Sequence, residues 1–409
     1  MPVLGTWPAA RRWALAVTAF SFVGWSAWEM VRPPTNSYMD LSGKFTDHFS
    51  HMAAARLFCR FGFDVWRVPL VRLLPSPTPQ ERLALPQDTK RCPDCLFVAP
   101  GWEKPVVQSW PHVVRFYPPG DMVLTAPVAV LYHYTSLSLT TASRMLLVIF
   151  LAAAHLGLFL LLEGLLEAPP AVRYSSLFAG FLGVNCVLRW TLEGFYDSAI
   201  LFPLLLCWRY LGERRGLAAG VAFCAAAFLH FRAYYYAPWA IWAAVLLVRE
   251  RQWRSWRAWD WAAAAAAALM GGASLATWSM ALPGLLAFEA FPSPLLVTSS
   301  HVVLPALALA GAVGAAALAL FLFAGSRIDA AMVGWMGLVL TQVRQSLAWY
   351  PVAVVPWLVS PARSRHPGRA ALIPQARVLV FLLLALHLHR EQPYDLEAVI
   401  PTWIFRLFA

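Results

Sequence analysis

The chain has 409 residues, 60% of them hydrophobic and only 13% charged, with a mean hydropathy of +0.58. Soluble domains carry about 25% charged residues, and apolar runs near the ~20 residues that cross a hydrocarbon core recur along this sequence. The composition argues against a soluble domain, and the length of the runs excludes a porin-type barrel, whose strands are about ten residues long with alternating polarity. An all-α polytopic transmembrane bundle of about 10–12 spans is expected. The net charge of +11 sits mostly in short loops between apolar segments. That is the positive-inside pattern of a membrane protein, so nucleic acid is not an expected partner.

In chain order, Arg11 and Arg12 precede an apolar run over 13–28 that ends at Glu29 without a small-residue cleavage site. Residues 1–30 read as an uncleaved signal-anchor helix with a cytoplasmic N-terminus. Residues 31–120 form a large polar loop on the outer side, carrying Asp40 and Asp47 near its start. The stretch Phe45–Arg56 is rich in Ala and Met and precedes Gly62, which predicts a helix. Asp47 is either the cap of that helix or a carboxylate able to take a proton from an acceptor hydroxyl. His48 and His51 are either helpers to that carboxylate or ligands of a divalent metal, and with no clear third ligand no cofactor is expected. Cys92 and Cys95 are too few for zinc without a second pair and form either a local disulfide or two free thiols. Cys186, Cys207 and Cys224 lie in apolar segments and read as small core residues.

The loop closes on Arg115-Phe116-Tyr117-Pro118-Pro119-Gly120-Asp121. The two prolines fix φ and stiffen the chain, and Gly120 is expected to let it turn into the next segment. Arg115 is either part of a plain turn or a bidentate partner for phosphate or carboxylate.

Beyond it, residues 121–250 read as a core and 251–409 as further helices. Apolar segments are expected at 122–138, 145–166, 175–190, 197–211, 216–231, 234–248, 260–281, 302–324, 331–347, 349–360 and 376–389, with Pro203, Pro238 and Pro356 interrupting some of them. The basic loops 212–215, 249–257 and 361–369 are expected in the cytoplasm, and 361–375 is expected to be a linker. Orientation counted from the N-terminus and from these loops differs by one crossing between 121 and 175. Either 122–138 does not fully span, its Pro127, Tyr132, His133 and Tyr134 making it the weaker candidate, or a neighbour is re-entrant.

Two further polar clusters fall on the expected outer side. Glu193-Gly194-Phe195-Tyr196-Asp197-Ser198 places Asp197 at a helix end, as a cap or a site residue. His230-Phe231-Arg232-Ala233-Tyr234-Tyr235-Tyr236-Ala237-Pro238 is either an aromatic belt with a snorkelling arginine or an arginine holding a lipid phosphate beside tyrosines, ionisable groups at membrane depth being functional candidates.

These stretches together resemble the GT-C superfamily of integral membrane glycosyltransferases. FTDHFSHMAAARLFCRFGFDVW resembles its acidic first-loop pattern, RFYPPGD its YPP element, GFYDS its Gly-x-x-Asp-Ser element, and HFRAYYYAP a stretch of mannosyltransferases that act early in glycolipid-anchor synthesis. The likeness covers roughly residues 10–240. The first-loop aspartate lacks a second at the spacing of the paired-aspartate families, and Arg232 stands where Lys is common.

The resemblance implies a polyprenyl-phosphate sugar as donor and a hexose, mannose included, as the group moved to a lipid or glycan acceptor. It implies Asp47 as base with Asp40 in reserve, and substrate binding by Arg115, Tyr117, Asp121, Asp197, His230, Arg232 and Tyr234. The loop 283–301, with Glu289 and His301, would cover the site. The membrane is expected to be the bacterial inner membrane, no eukaryotic retention signal being visible. A transporter or flippase for a lipid-linked substrate and a non-catalytic membrane partner are the competing readings.

Overall fold

A computed structural model describes residues 24, 58, 61–68, 117–136, 145–146, 149–150, 152–153, 156–157, 160, 199–286, 314–341, 357 and 364–380. The described part is helical throughout, with no strand. Its helices are α1 (Gly120–Tyr134), α2 (Leu201–Gly212), α3 (Gly216–Leu229), α4 (Ala237–Arg249), α5 (Ala258–Leu286), α6 (Gly314–Phe323), α7 (Arg327–Thr341) and α8 (372–380).

α3 is the hub, packed against α1, α2, α4 and α5. Its sequence, GLAAGVAFCAAAFL, is mostly Gly, Ala and Cys. Small residues let backbones approach closely, so that packing rather than bulk holds the helices together. At Gly216 a Cβ would come within 2.8 Å of the Ala243 carbonyl oxygen on α4, and at Gly271 of α5 one would rest 3.3 Å from Cys224 Sγ. α2 supplies the bulky complement. Leu201, Leu204, Leu205, Trp208 and Leu211 recur at helical spacing and are all buried, as one stripe of a 3.6-residue period requires. Cys207 is fully buried among them, the small core residue expected of it.

The helix ends follow from local chemistry. α2 and α4 both stop at a Glu-Arg pair. Glu213 and Glu250 are the C-caps, and Arg214 and Arg251 follow with φ of 59° and 49°. The Arg214 and Arg215 amides donate back to the Leu211 and Tyr210 carbonyls, at 3.2 and 2.8 Å. That is the Schellman arrangement with arginine where glycine is usual. Glycine holds the same position after α6, where Gly325 has φ of 74°. Pro203 and Pro238 do not interrupt helices. Each lies in a first turn, α2 and α4 respectively, where the missing amide has no partner to lose. Nor is 361–375 a plain linker, since it holds the short 3-10 turn Pro367–Arg369 and the start of α8.

α1 has 15 residues and ends at Thr135, which is extended. At 1.5 Å per residue it rises about 22 Å, short of a ~30 Å hydrocarbon core. Among the described residues one stretch, Ala258–Ala281 of α5, is long and apolar enough to cross a membrane.

Candidate functional site

The site is built where α1 and α4 begin and α3 ends. Gly62, with φ of +56°, leads the chain into the 3-10 turn Gly62–Trp66. This turn packs against α5 and places Trp66 so that its Nε1 donates to the Tyr117 carbonyl at 2.9 Å. Phe58 and Phe63 flank Trp66 with ring centroids 5.5 and 6.1 Å away. Tyr117, near the end of the 31–120 loop, is thus held by a turn from within the same loop.

Gly120 then opens α1 against α3. A Cβ there would lie 2.3 Å from the Phe228 carbonyl oxygen, a contact no side chain permits. Its glycine serves close backbone approach rather than the turn expected of it. Asp121, in the first turn of α1, is 1% exposed. The N-terminal end of a helix favours a carboxylate through its dipole. The Asp121 carbonyl accepts from Thr125 Oγ1 at 3.0 Å.

α3 stops as His230 turns extended (φ −157°, ψ 138°), and the chain tightens into the 3-10 turn Phe231–Tyr236 before Pro238 opens α4. His230 is buried. Its ring lies 5.1 Å from that of Tyr117, edge-on, and 4.8 Å from Phe231, stacked. Tyr117 also meets Phe231 edge-on at 5.3 Å. Tyr117 and the His230-Phe231 pair, from two stretches read separately in the sequence, therefore meet in one cluster.

α5 closes the far side. Trp278 meets Phe231 at 6.2 Å and Tyr234 at 6.1 Å. The Tyr234 hydroxyl bonds Ser274 Oγ at 2.7 Å, Ser274 Oγ bonds the Ala227 carbonyl at 2.8 Å, and Thr277 Oγ1 donates to the Ser274 carbonyl at 2.8 Å. Trp278 Nε1, by contrast, is buried and, among the described residues, has no hydrogen-bond partner. An indole N–H can only donate, so this group is suited to an acceptor oxygen on a ligand. Sequence reasoning passed over Trp278 because it lies in an Ala-rich helix with nothing local to mark it.

Of the residues expected at the site, Tyr117, Asp121, His230 and Tyr234 lie at this end of the bundle, and Arg232 belongs to the same turn by its backbone. The Arg232 side chain, Asp40, Asp47, Arg115 and Asp197 lie outside the described residues, as do His48, His51, Cys92, Cys95, Cys186, Glu193, Glu289 and His301. Among the described residues no group of three His, Cys, Asp or Glu side chains is placed to hold a metal ion.

A second polar centre lies elsewhere. Arg377 of α8 and Asp329 of α7 are both fully buried and paired in two-pronged fashion, Nε to Oδ1 at 2.9 Å and Nη2 to Oδ2 at 3.1 Å. Trp357 Nε1 and Ser326 Oγ also donate to Asp329, at 2.6 and 2.5 Å. The guanidinium carbon lies 5.2 Å from the Trp208 ring centroid. No model of a known protein family, no curated protein and no solved structure matches the chain.

Proposed function

We propose that the chain is a multi-pass membrane glycosyltransferase of the GT-C kind. It moves a hexose from a polyprenyl-phosphate donor to a lipid or glycan acceptor on the outer membrane face. The observation that carries this reading is the meeting of Tyr117 with His230 and Phe231. It joins two of the motifs on which the resemblance rests, and a chance likeness of short motifs does not require them to touch.

Membrane placement is supported by what the helices leave outside. On α4, Ile241, Val245 and Val248 recur at helical spacing and are exposed, while Trp239, Ala243 and Leu246 face the core. On α5, Leu269 and Leu275 are 75% and 61% exposed. Apolar faces of this extent call for lipid or a partner, and the apolar composition favours lipid.

In the proposed reaction the acceptor oxygen attacks the anomeric carbon as the bond from that carbon to the phosphate oxygen breaks. The configuration inverts. The acceptor proton passes to the Asp47 carboxylate, with Asp40 in reserve, and polyprenyl phosphate leaves with the bonding electron pair. Arg115 and Arg232 stabilise the charge growing on that phosphate, where preorganised cations help most. The Tyr117, Phe231 and Trp278 rings offer faces to the sugar, and Trp278 Nε1 donates to a donor oxygen. Asp121 and Asp197 orient acceptor or basic groups.

The test is transfer of labelled sugar from a panel of polyprenyl-phosphate sugars in membranes holding the wild type or Asp47→Asn. Label moved by the wild type and lost in the variant at equal expression supports the reading. Equal transfer removes Asp47 from the chemistry. No transfer from any donor returns the transporter and partner readings to the front.

A further inference from the structure

The opposite end of the helices carries a second surface. The turns after α2 and α4 are clamped to each other. Arg214 pairs with Glu250, Gln252 Nε2 donates to the Arg214 carbonyl at 2.7 Å and to Glu250 Oε2 at 2.8 Å, and the Gly216 amide donates to Gln252 Oε1 at 3.0 Å. Glu213 is engaged by Arg209 and Arg215. Asp260 accepts from the Arg257 amide at 2.8 Å at the start of α5, the second half of a capping box. Among the described residues, every carboxylate of this end is thereby committed.

Arg249 lies close enough to Glu250 to act on it through its charge, and three further arginines remain over. Arg251, Arg254 and Arg257 are exposed, and among the described residues no carboxylate pairs with their side chains. Tryptophans alternate with them. Trp253 is 40% exposed, Trp259 86% and Trp261 56%, and Trp256 meets Trp261 edge-on at 4.7 Å. Large amphipathic rings left in the open beside unpaired guanidiniums suit neither water nor a hydrocarbon core. They suit the headgroup layer, where Trp settles and each basic residue gains from anionic lipid. Arg251 adds a second argument. It sits at φ of 49°, where glycine would be more comfortable, and its guanidinium supports no fold contact. Only its backbone serves the turn, the amide donating to the Val248 carbonyl at 3.2 Å and the carbonyl accepting from the Arg254 amide at 3.0 Å.

We propose that the segment Arg251–Trp261 is a platform for the headgroups of anionic phospholipids in the leaflet facing the basic loops. The arginines take the phosphates and the tryptophans sit beside the glycerol backbone. This rests on the membrane placement proposed above but not on the transferase chemistry.

The experiment uses the full chain in bilayers of phosphatidylcholine mixed with phosphatidylglycerol, extracted in mild detergent, with the retained lipid measured by mass spectrometry. The wild type is expected to retain phosphatidylglycerol in excess of its share. R251Q/R254Q/R257Q is expected to lose that excess on the order of fivefold or more, and R251K/R254K/R257K to keep most of it. R251G is expected to match or exceed the wild-type Tm while retaining less phosphatidylglycerol, so that lipid loss and misfolding are told apart. An equal lipid ratio in the wild type and the Gln variant overturns the platform, as does an equal loss in the Lys variant. So does binding to heparin without any lipid excess, which would assign the patch to an acidic soluble partner. Release of the wild type from membranes by alkaline carbonate would instead overturn the membrane placement itself.

Discussion

The Asp329–Arg377 centre is fully buried and the Tyr117–His230–Trp278 cluster only in part, and the two are built on different terms. In the first, both carboxylate oxygens and the guanidinium are met by close, directed bonds, with Trp357 and Ser326 adding donors. In the second, ring contacts sit beside the Tyr234–Ser274 hydroxyl pair, and among the described residues the Trp278 indole N–H has no partner. A charge pair out of water is tolerable only when its bonds are satisfied. An unmet buried donor costs about 1–3 kcal/mol and is reasonable where a ligand will meet it. The first region holds the helices together; the second is where we place the proposed chemistry.

The sharpest way to break this contrast is at the ion pair. Asp329→Ala or Arg377→Ala strands a buried charge and is expected to cost about 3–5 kcal/mol, seen as a large fall in Tm in detergent. A small fall would mean the pair is not buried as described. Next comes Gly120→Ala, which drives a methyl into the Phe228 carbonyl and is expected to cost about 1–3 kcal/mol by thermal unfolding.

At the cluster the expectation reverses. Trp278→Phe removes only the indole donor and part of a ring. Tm should hold while sugar transfer falls about tenfold or more, the loss of one hydrogen bond to a charged acceptor. Tyr236→Phe sharpens the point from the other side. The Tyr236 hydroxyl is buried and unmet deep in the core beside Trp239, and its removal should leave Tm unchanged or raise stability by about 1 kcal/mol.

The smallest effect is expected at the clamp. The Arg214 hydrogen bond, and after it that of Gln252, holds the Glu250 carboxyl below the usual carboxylate range. Its folded pKa lies below its unfolded one. The clamp therefore contributes above the unfolded value and loses that contribution as pH falls through the folded one. Glu250→Gln should flatten the Tm profile slightly below about pH 4, and no change would show the clamp to be idle.

The sequence shows the helices well and their contacts poorly. Leu201, Leu204, Leu205, Trp208 and Leu211 announce the buried face of α2 by period alone. The Tyr-Pro-Pro-Gly and His-Phe-Arg stretches stand out because polar and aromatic residues break apolar runs. That they meet is a long-range fact that no local pattern encodes. The same holds for Gly120, whose reason is a carbonyl on another helix. Asp329 and Arg377 each look like the polar edge of an apolar segment, and only the three-dimensional packing makes them partners. Ser326-Arg327-Ile328-Asp329 carries a capping-box spacing that could have drawn attention to the aspartate. The prolines mislead in the opposite sense, because a proline two or three residues into a helix and one in its middle look alike until the first turn is placed.

The central claim is that the His230 end of the bundle is where a sugar changes hands. The most direct measurement is transfer of labelled sugar from the polyprenyl-phosphate panel by the wild type and by His230→Ala, with Tm recorded for both. The expected result is transfer by the wild type and its loss in the variant when both are assayed well below their Tm, removal of the buried ring being expected to lower the variant's Tm. Undiminished transfer by His230→Ala, or no transfer by the wild type from any donor, would contradict it.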